Sequence, residues 1–240
     1  MKAQERHHLK QNEFVSTVAS ATAWYRGNQG TFFGGVIAVI AVIVLGSGYF
    51  WWQNRNQEQA GSLLGVAMTI YQAPVVPPSS VPGATQTPGS YPSEKARYEA
   101  ALAAFTQVAD AYPSSVAGIA ARYHSGETLL SLGRADDAQK AYQTVIDTAG
   151  SSVYGPMARL GLATVLLASG KNDLGIKALE ELAAQRDSIV PVDGVLMQLA
   201  AAYQKLGKNA EARTTYKRVV DEFPDSPYVQ NARQQMTLLG

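Results

Sequence analysis

A glycine recurs at positions 133, 170 and 207, and the interval of 37 residues carries a whole pattern with it. Four apolar triplets keep the same spacing: Ala101, Phe105, Val108; Ala138, Tyr142, Val145; Gly175, Leu179, Leu182; Ala212, Tyr216, Val219. Within each triplet the residues fall at i, i+4 and i+7, one face of a helix. "YPSSVAGIAAR" from 112 and "FPDSPYVQNAR" from 223 lie 111 residues apart, three periods, and Arg122, Arg159 and Arg233 share a phase. In "SLGRADDAQKAYQTVI", residues 131–146, Gly133 ends one helix and Ala138, Tyr142 and Val145 mark the inner face of the next. One such hairpin cannot bury its own apolar face, so the copies must stack. The expectation is a helical array, and an array directs attention to a binding surface before an active site.

The residues that carry the pattern resemble the tetratricopeptide repeat. Gly126, Leu129, Gly133, Ala138 and Tyr142 match its signature, as do Ala200, Tyr203, Gly207, Ala212, Tyr216 and Pro224. A third unit keeps Ala163, Leu166 and Gly170 but has Gly175 where alanine is usual. The first unit keeps Ala101, Phe105 and Pro113 and lacks its opening helix in register. Residues 56–72 can supply that helix, with Tyr71 in the aromatic position and the segment 73–93 inserted behind it. A period of 37, against roughly 34 in the family, puts the extra residues in the turn between units. Residues 226–239, "SPYVQNARQQMTLL", read as a capping helix.

A second feature dominates the N-terminal quarter. Phe32 to Trp52, "FFGGVIAVIAVIVLGSGYFWW", is 21 residues without a charge or a proline. As a helix it is roughly 31 Å long, about the hydrocarbon thickness of a bilayer. Eleven of its residues are Leu, Ile, Val or Phe, each favouring insertion by roughly 0.3–0.6 kcal/mol. Tyr49, Trp51 and Trp52 at one end, with Trp24 and Tyr25 before the other, suit the two interfaces. The run is too long for a signal-peptide core and no A-x-A-like site follows closely, so an uncleaved anchor is expected. Lys2, Arg6, Lys10 and Arg26 precede it, against Arg55 alone in the forty residues after it. The positive-inside rule then places the N-terminus in the cytoplasm and residues 53–240 across the membrane.

The expected fold is therefore all-α: a single N-terminal transmembrane helix, then a tetratricopeptide-type α-solenoid of about four helical hairpins with a C-terminal capping helix. The expected divisions are a cytoplasmic tail, 1–30; the transmembrane helix, 31–53; a first solenoid helix, 54–72; a Pro-rich insertion, 73–93; and the repeat array with its cap, 94–240. The insertion holds six prolines and no charge, which predicts an extended segment without regular structure. In the tail, Phe14, Val18, Ala21 and Tyr25 follow helical spacing and suggest a short helix along the inner surface. Gly30, Gly34 and Ala38 form a small-residue ridge on which a second membrane helix, including one from another copy, can pack closely.

Catalytic chemistry finds little support. The chain has no cysteine, which excludes disulfides and thiolate nucleophiles, and its histidines are His7, His8 and His124. No metalloprotease, nucleophile-elbow or phosphate-loop motif occurs, so no catalytic, cofactor or metal site is expected. Asp136 and Asp137 open a helix, where the dipole favours acids, and His124 reads as a packing or surface residue. From Glu94 onward, 15 Lys and Arg face 16 Asp and Glu with no block of one sign, so nucleic acid is not an expected partner.

What the resemblance implies about binding is a concave face built by the first helix of each hairpin. Carried over by phase, that face takes Tyr123, Glu127, Leu130 and Ser131; then Met157, Leu160, Thr164 and Leu167; then Met197, Ala201, Gln204 and Lys205. It is mostly apolar and suits an extended apolar segment or a helix. The layout of tail, span and external array also resembles single-pass inner-membrane proteins of bacteria, including the ancillary subunit of the Sec translocon. This implies a scaffold on the periplasmic side of the inner membrane whose partners are proteins (a translocon, chaperones or subunits of a membrane complex) together with membrane lipid. A permanent accessory subunit of a larger inner-membrane complex is the alternative the same layout allows.

Overall fold

The computed structural model describes residues 19, 29–78, 86–150, 152–185 and 189–240. Among these, regular structure consists of nine helices: α1 Gln29–Tyr71, α2 Glu94–Ala111, α3 Val116–Ser131, α4 Ala135–Thr148, α5 Tyr154–Ala168, α6 Asn172–Ala183, α7 Val192–Lys205, α8 Asn209–Glu222 and α9 Val229–Leu238. The chain divides into two units, Met1–Arg55 and Asn56–Gly240.

In the first unit, α1 is apolar on every side. Its described side chains from Gly30 to Arg55 are all exposed, which a helix of this composition cannot sustain in water. Its most apolar stretch has a mean hydropathy of 2.2, and among the described residues it is the helix long and apolar enough to cross a membrane. The Arg55 guanidinium sits 5.3 Å from the Trp51 ring centre, and the Tyr49 and Trp52 rings are 6.2 Å apart. A methyl group built on Gly30 or Gly34 would meet nothing within 4 Å, and Ala38 is exposed. The expected tail helix on Phe14, Val18, Ala21 and Tyr25, the cations Lys2, Arg6, Lys10 and Arg26, and His7 and His8 lie outside the described residues.

The second unit is the solenoid, in which consecutive helices from α2 to α9 pack against one another. Its three repeated glycines have φ of +74°, +74° and +72° at 133, 170 and 207, left-handed values that glycine adopts without steric cost. At each, the chain closes the helix with the same pair of hydrogen bonds. Arg134 N–H donates to Leu129 O at 2.8 Å and Gly133 N–H to Leu130 O at 3.0 Å; Lys171 and Gly170, and Lys208 and Gly207, repeat this. These Schellman closures satisfy carbonyls that the helix end leaves open and turn the chain into the next helix.

Serines start two of the helices. Ser93 Oγ accepts from Ala96 N–H at 3.1 Å and Ser115 Oγ from Gly118 N–H at 2.9 Å, each satisfying an orphan donor of the first turn. Gly118 is required for a different reason: a Cβ there would lie 1.8 Å from the Tyr112 carbonyl oxygen. The guanidinium of Arg122 donates to Ala109 O in the last turn of α2 at 3.0 Å.

Every triplet residue named from the sequence packs inward. Phe105, Tyr142, Leu179 and Tyr216 are buried, with Ala101, Ala138, Gly175 and Ala212 at their sides. Gly175 sits where it does because a Cβ would come within 2.7 Å of Leu167 Cγ; this unit fills the usual alanine's place with a leucine from α5. The last turns of α1 pack on α2 in the manner of an opening helix. Ala60 and Ala67 are fully buried, and the Tyr71 ring lies 5.9 Å from both Phe105 and Tyr98. The Pro-rich insertion is tied at its base, where Val76 N–H donates to Tyr91 O and Tyr91 N–H to Pro74 O, both at 2.9 Å. At the far end α9 places Ala232 and Met236, and the residue after it, Leu239, over the core shared by α7 and α8.

Candidate functional site

Alternate helices of the solenoid share a face. The rings of Tyr71 and Phe105 reach α3 at His124, α3 packs on α5, and α5 and α7 line common space. Between them lies a pocket of about 550 Å³, lined by Tyr71 from α1, Tyr123, Glu127 and Leu130 from α3, Met157, Leu160 and Thr164 from α5, and Gln198 from α7. Ile189, Val190 and Pro191, which lead into α7, form one wall. A second pocket of about 250 Å³ continues the groove through Thr164, Leu167, Gln198, Ala201 and Lys205.

Tyr142 defines the floor although it belongs to α4. Its ring is clamped between two glycines: a Cβ at Gly126 would approach it to 2.8 Å and one at Gly161 to 2.5 Å. A ring of that size reaches the groove only because both first helices present bare backbone. Burial pushes its hydroxyl well above the usual phenol range, and the nearby Glu127 charge adds to the shift.

The polar centre is Glu127. Tyr123 O–H donates to Glu127 Oε1 at 3.0 Å, and His124 Nδ1 stands 2.7 Å from Glu127 Oε2. Burial first, then the carboxylate's charge and its hydrogen bond, drive the Tyr123 hydroxyl up as well. His124 is itself wedged among aromatics, stacked on Phe105 at 5.4 Å and edge-on to Tyr123 at 5.2 Å. It is a packing residue that also orients the carboxylate.

The groove residues expected by phase divide cleanly. Tyr123, Glu127, Leu130, Leu160 and Thr164 come together in the larger pocket, and Leu167 lines the smaller one with Thr164. Met197 and Gln204 lie outside both. Met197 is half-buried against the core, and Gln204 turns to the next hairpin, accepting from Tyr216 O–H at 3.2 Å and reaching Gln235 at 3.4 Å. Ala201 and Lys205, also expected by phase, line the smaller pocket, and Gln198 of α7 lines both. Also missed from sequence were Tyr142, Gly161 and the 189–191 wall. The space around Tyr142 has a sequence signal: at the 37-residue period Gly161 stands where His124 and Gln198 stand in the neighbouring units, and Gly126 where Ala163 and Ala200 stand.

The acidic pair at the start of α4 is structural. Arg134 grips Asp137 Oδ2 at 2.7 Å through Nη2, and Asp136 lies 4.0 Å from Lys171. Among the described residues, no group of three or more His, Asp or Glu side chains is arranged to hold a metal ion.

A family profile described as a tetratricopeptide repeat-like domain matches residues 22–237. Among solved structures, a Podospora anserina protein of nearly identical TPR-like repeats (described as a kinesin light chain) superposes with a TM-score of 0.57 at 13% identity. The match covers 76% of this chain and 85% of that one. MamA gives a TM-score of 0.48 at 18% identity, over 60% of this chain and 78% of its own. No curated protein is similar enough to this sequence to match it.

Proposed function

Because the chain belongs to the tetratricopeptide repeat-like domain family, we propose that it is a membrane-anchored scaffold that binds partner proteins in the groove of α3, α5 and α7. The observation that carries this reading is the groove itself: an open, largely apolar trough of about 550 Å³ with one carboxylate fixed in it. Such a surface suits an extended or helical segment whose apolar side chains fill it. Support for the anchor comes from the apolar first unit, whose exposed Val, Ile, Leu and Phe side chains need hydrocarbon as solvent. With four cations before the span and Arg55 after it, the repeats face the periplasm of a bacterial inner membrane. Proteins crossing or leaving that membrane, translocon subunits and chaperones are then within reach as partners. The Gly30, Gly34, Ala38 ridge offers a place for a partner's membrane helix or a second copy.

Gentle detergent extraction of the native protein, followed by size separation and mass spectrometry, tests the reading. A sub-stoichiometric mixture of translocon, chaperone and client proteins, lost on combining Leu160→Asp with Leu167→Asp, is the expected result. A fixed stoichiometric set of membrane subunits that survives those substitutions overturns the groove assignment and makes the protein an accessory subunit held by its span.

A further inference from the structure

We propose that the Glu127 end of the groove receives one basic side chain, lysine or arginine, carried by an otherwise apolar segment of the partner. This rests on the scaffold reading above and names the chemistry of what the groove takes. Glu127 is the one formally charged residue among the described residues that line the larger pocket. Several carboxylates of the solenoid are matched by a cation on the same or a neighbouring helix, among them Asp137 by Arg134, Asp221 by Lys217 and Asp110 by Arg122. Glu127 has instead a phenol and an imidazole. Both contacts hold the carboxylate in one position, on the pocket side of α3.

Three tyrosines, Tyr71, Tyr123 and Tyr142, line the same pocket. Aromatic faces carry partial negative charge and attract an ammonium or guanidinium brought over them. A carboxylate held rigid among such rings costs little further ordering when the cation arrives, and the pair gains from partial desolvation. Leu130, Met157 and Leu160 complete the pocket and receive the stem of the basic side chain or its apolar neighbours. The adjoining pocket contains Lys205 as its charged residue, which repels a cation and directs it to the Glu127 end.

The test uses the full-length protein in detergent micelles and two fluorescein-labelled peptides. One is Ser-Leu-Ala-Leu-Arg-Leu-Ala-Leu-Ser-Gly; the other replaces Arg with citrulline, its neutral isostere. Fluorescence anisotropy is expected to show the Arg peptide bound about tenfold more tightly. Glu127→Gln should remove most of that preference, and Glu181→Gln, on an exposed face of α6, should leave it intact. Tyr123→Phe, which keeps the ring and loosens the carboxylate, should narrow it. Leu160→Asn should weaken both peptides. Equal affinity for the two peptides, both weakened by Leu160→Asn, overturns the cation assignment and leaves the groove reading standing. A preference that survives Glu127→Gln overturns it too. No binding of either peptide, or binding indifferent to Leu160→Asn, overturns the groove reading itself.

Discussion

Val42 and Val145 are the same residue in the same secondary structure, yet Val42 is 70% exposed on α1 and Val145 is fully buried on α4. Around Val145 the sequence alternates apolar and polar residues at helical spacing, with Ala138 and Tyr142 beneath it and charged groups on the outer side. Around Val42 it does not alternate at all. A helix with a stripe can satisfy itself by stacking on its own repeats; a helix apolar all round needs a solvent the chain does not provide. Apolar content is common to both regions. Its phase decides whether it forms a core or asks for a membrane.

The largest expected effect breaks the first region alone. Arginine at the middle of a membrane helix costs roughly 2.5–3.5 kcal/mol in insertion, so Val42→Arg with Ile43→Arg should move the protein out of the membrane fraction. The melting of the repeats, followed by circular dichroism, should stay where it was; retention in carbonate-washed membranes would remove the anchor reading. Next comes the solenoid's own core. Tyr142→Ala should cost about 3–5 kcal/mol in urea denaturation, whereas Phe50→Ala, on an exposed face of α1, should leave the same transition within about 0.5 kcal/mol.

Glycines sharpen the comparison further. Gly161→Ala drives a methyl into the Tyr142 ring and should cost about 1–3 kcal/mol. Gly34→Ala meets open space and should leave the solenoid's stability unchanged. If both proved neutral, Tyr142 would not be clamped as described.

The smallest effect is spectroscopic. Burial, with the hydrogen bond to Glu180, pushes the Tyr203 hydroxyl up to about 12, and Tyr123 and Tyr142 are also raised. Their folded values lie above the unfolded value of about 10. The stability they contribute is therefore present in full below pH ~10 and is lost as pH rises through the folded values. Absorbance at 295 nm should show a late phase near pH 12 that moves toward 10 in urea. The fold measured by circular dichroism should weaken over the same interval. A single ionisation near pH 10 in the native protein would contradict the packing of all three rings.

The repeat was legible because it is local. Gly133, Gly170 and Gly207 announce left-handed closures that any helix of this kind would use, and the triplets fix which face turns inward before any partner helix is placed. Before the proline-rich interruption, Ala60 and Ala67 are buried and Tyr71 lies against Phe105, at helical spacing in the sequence. In the groove, the α7 residues expected by phase separate: Ala201 and Lys205 line the smaller pocket, while Met197 and Gln204 lie outside both and Gln198 lines each. Which α7 side chains reach the groove depends on the helices packed beside it, such as the α8 and α9 partners that hold Gln204, and no residue in α7 encodes that by itself.

The sequence alone thus determined the helical period, the turns, the inward triplets and the presence of a helix suited to hydrocarbon, because each follows from backbone preference or from apolar spacing within a short window. Only the tertiary structure decided that the Tyr142 ring passes between Gly126 and Gly161, that residues 189–191 wall the groove, and that Glu127 is held at once by Tyr123 and His124. Those contacts depend on how far neighbouring helices approach and rotate. Side chains separated by most of a repeat settle that between them, and their joint packing is a property of the stacked array that no single window contains.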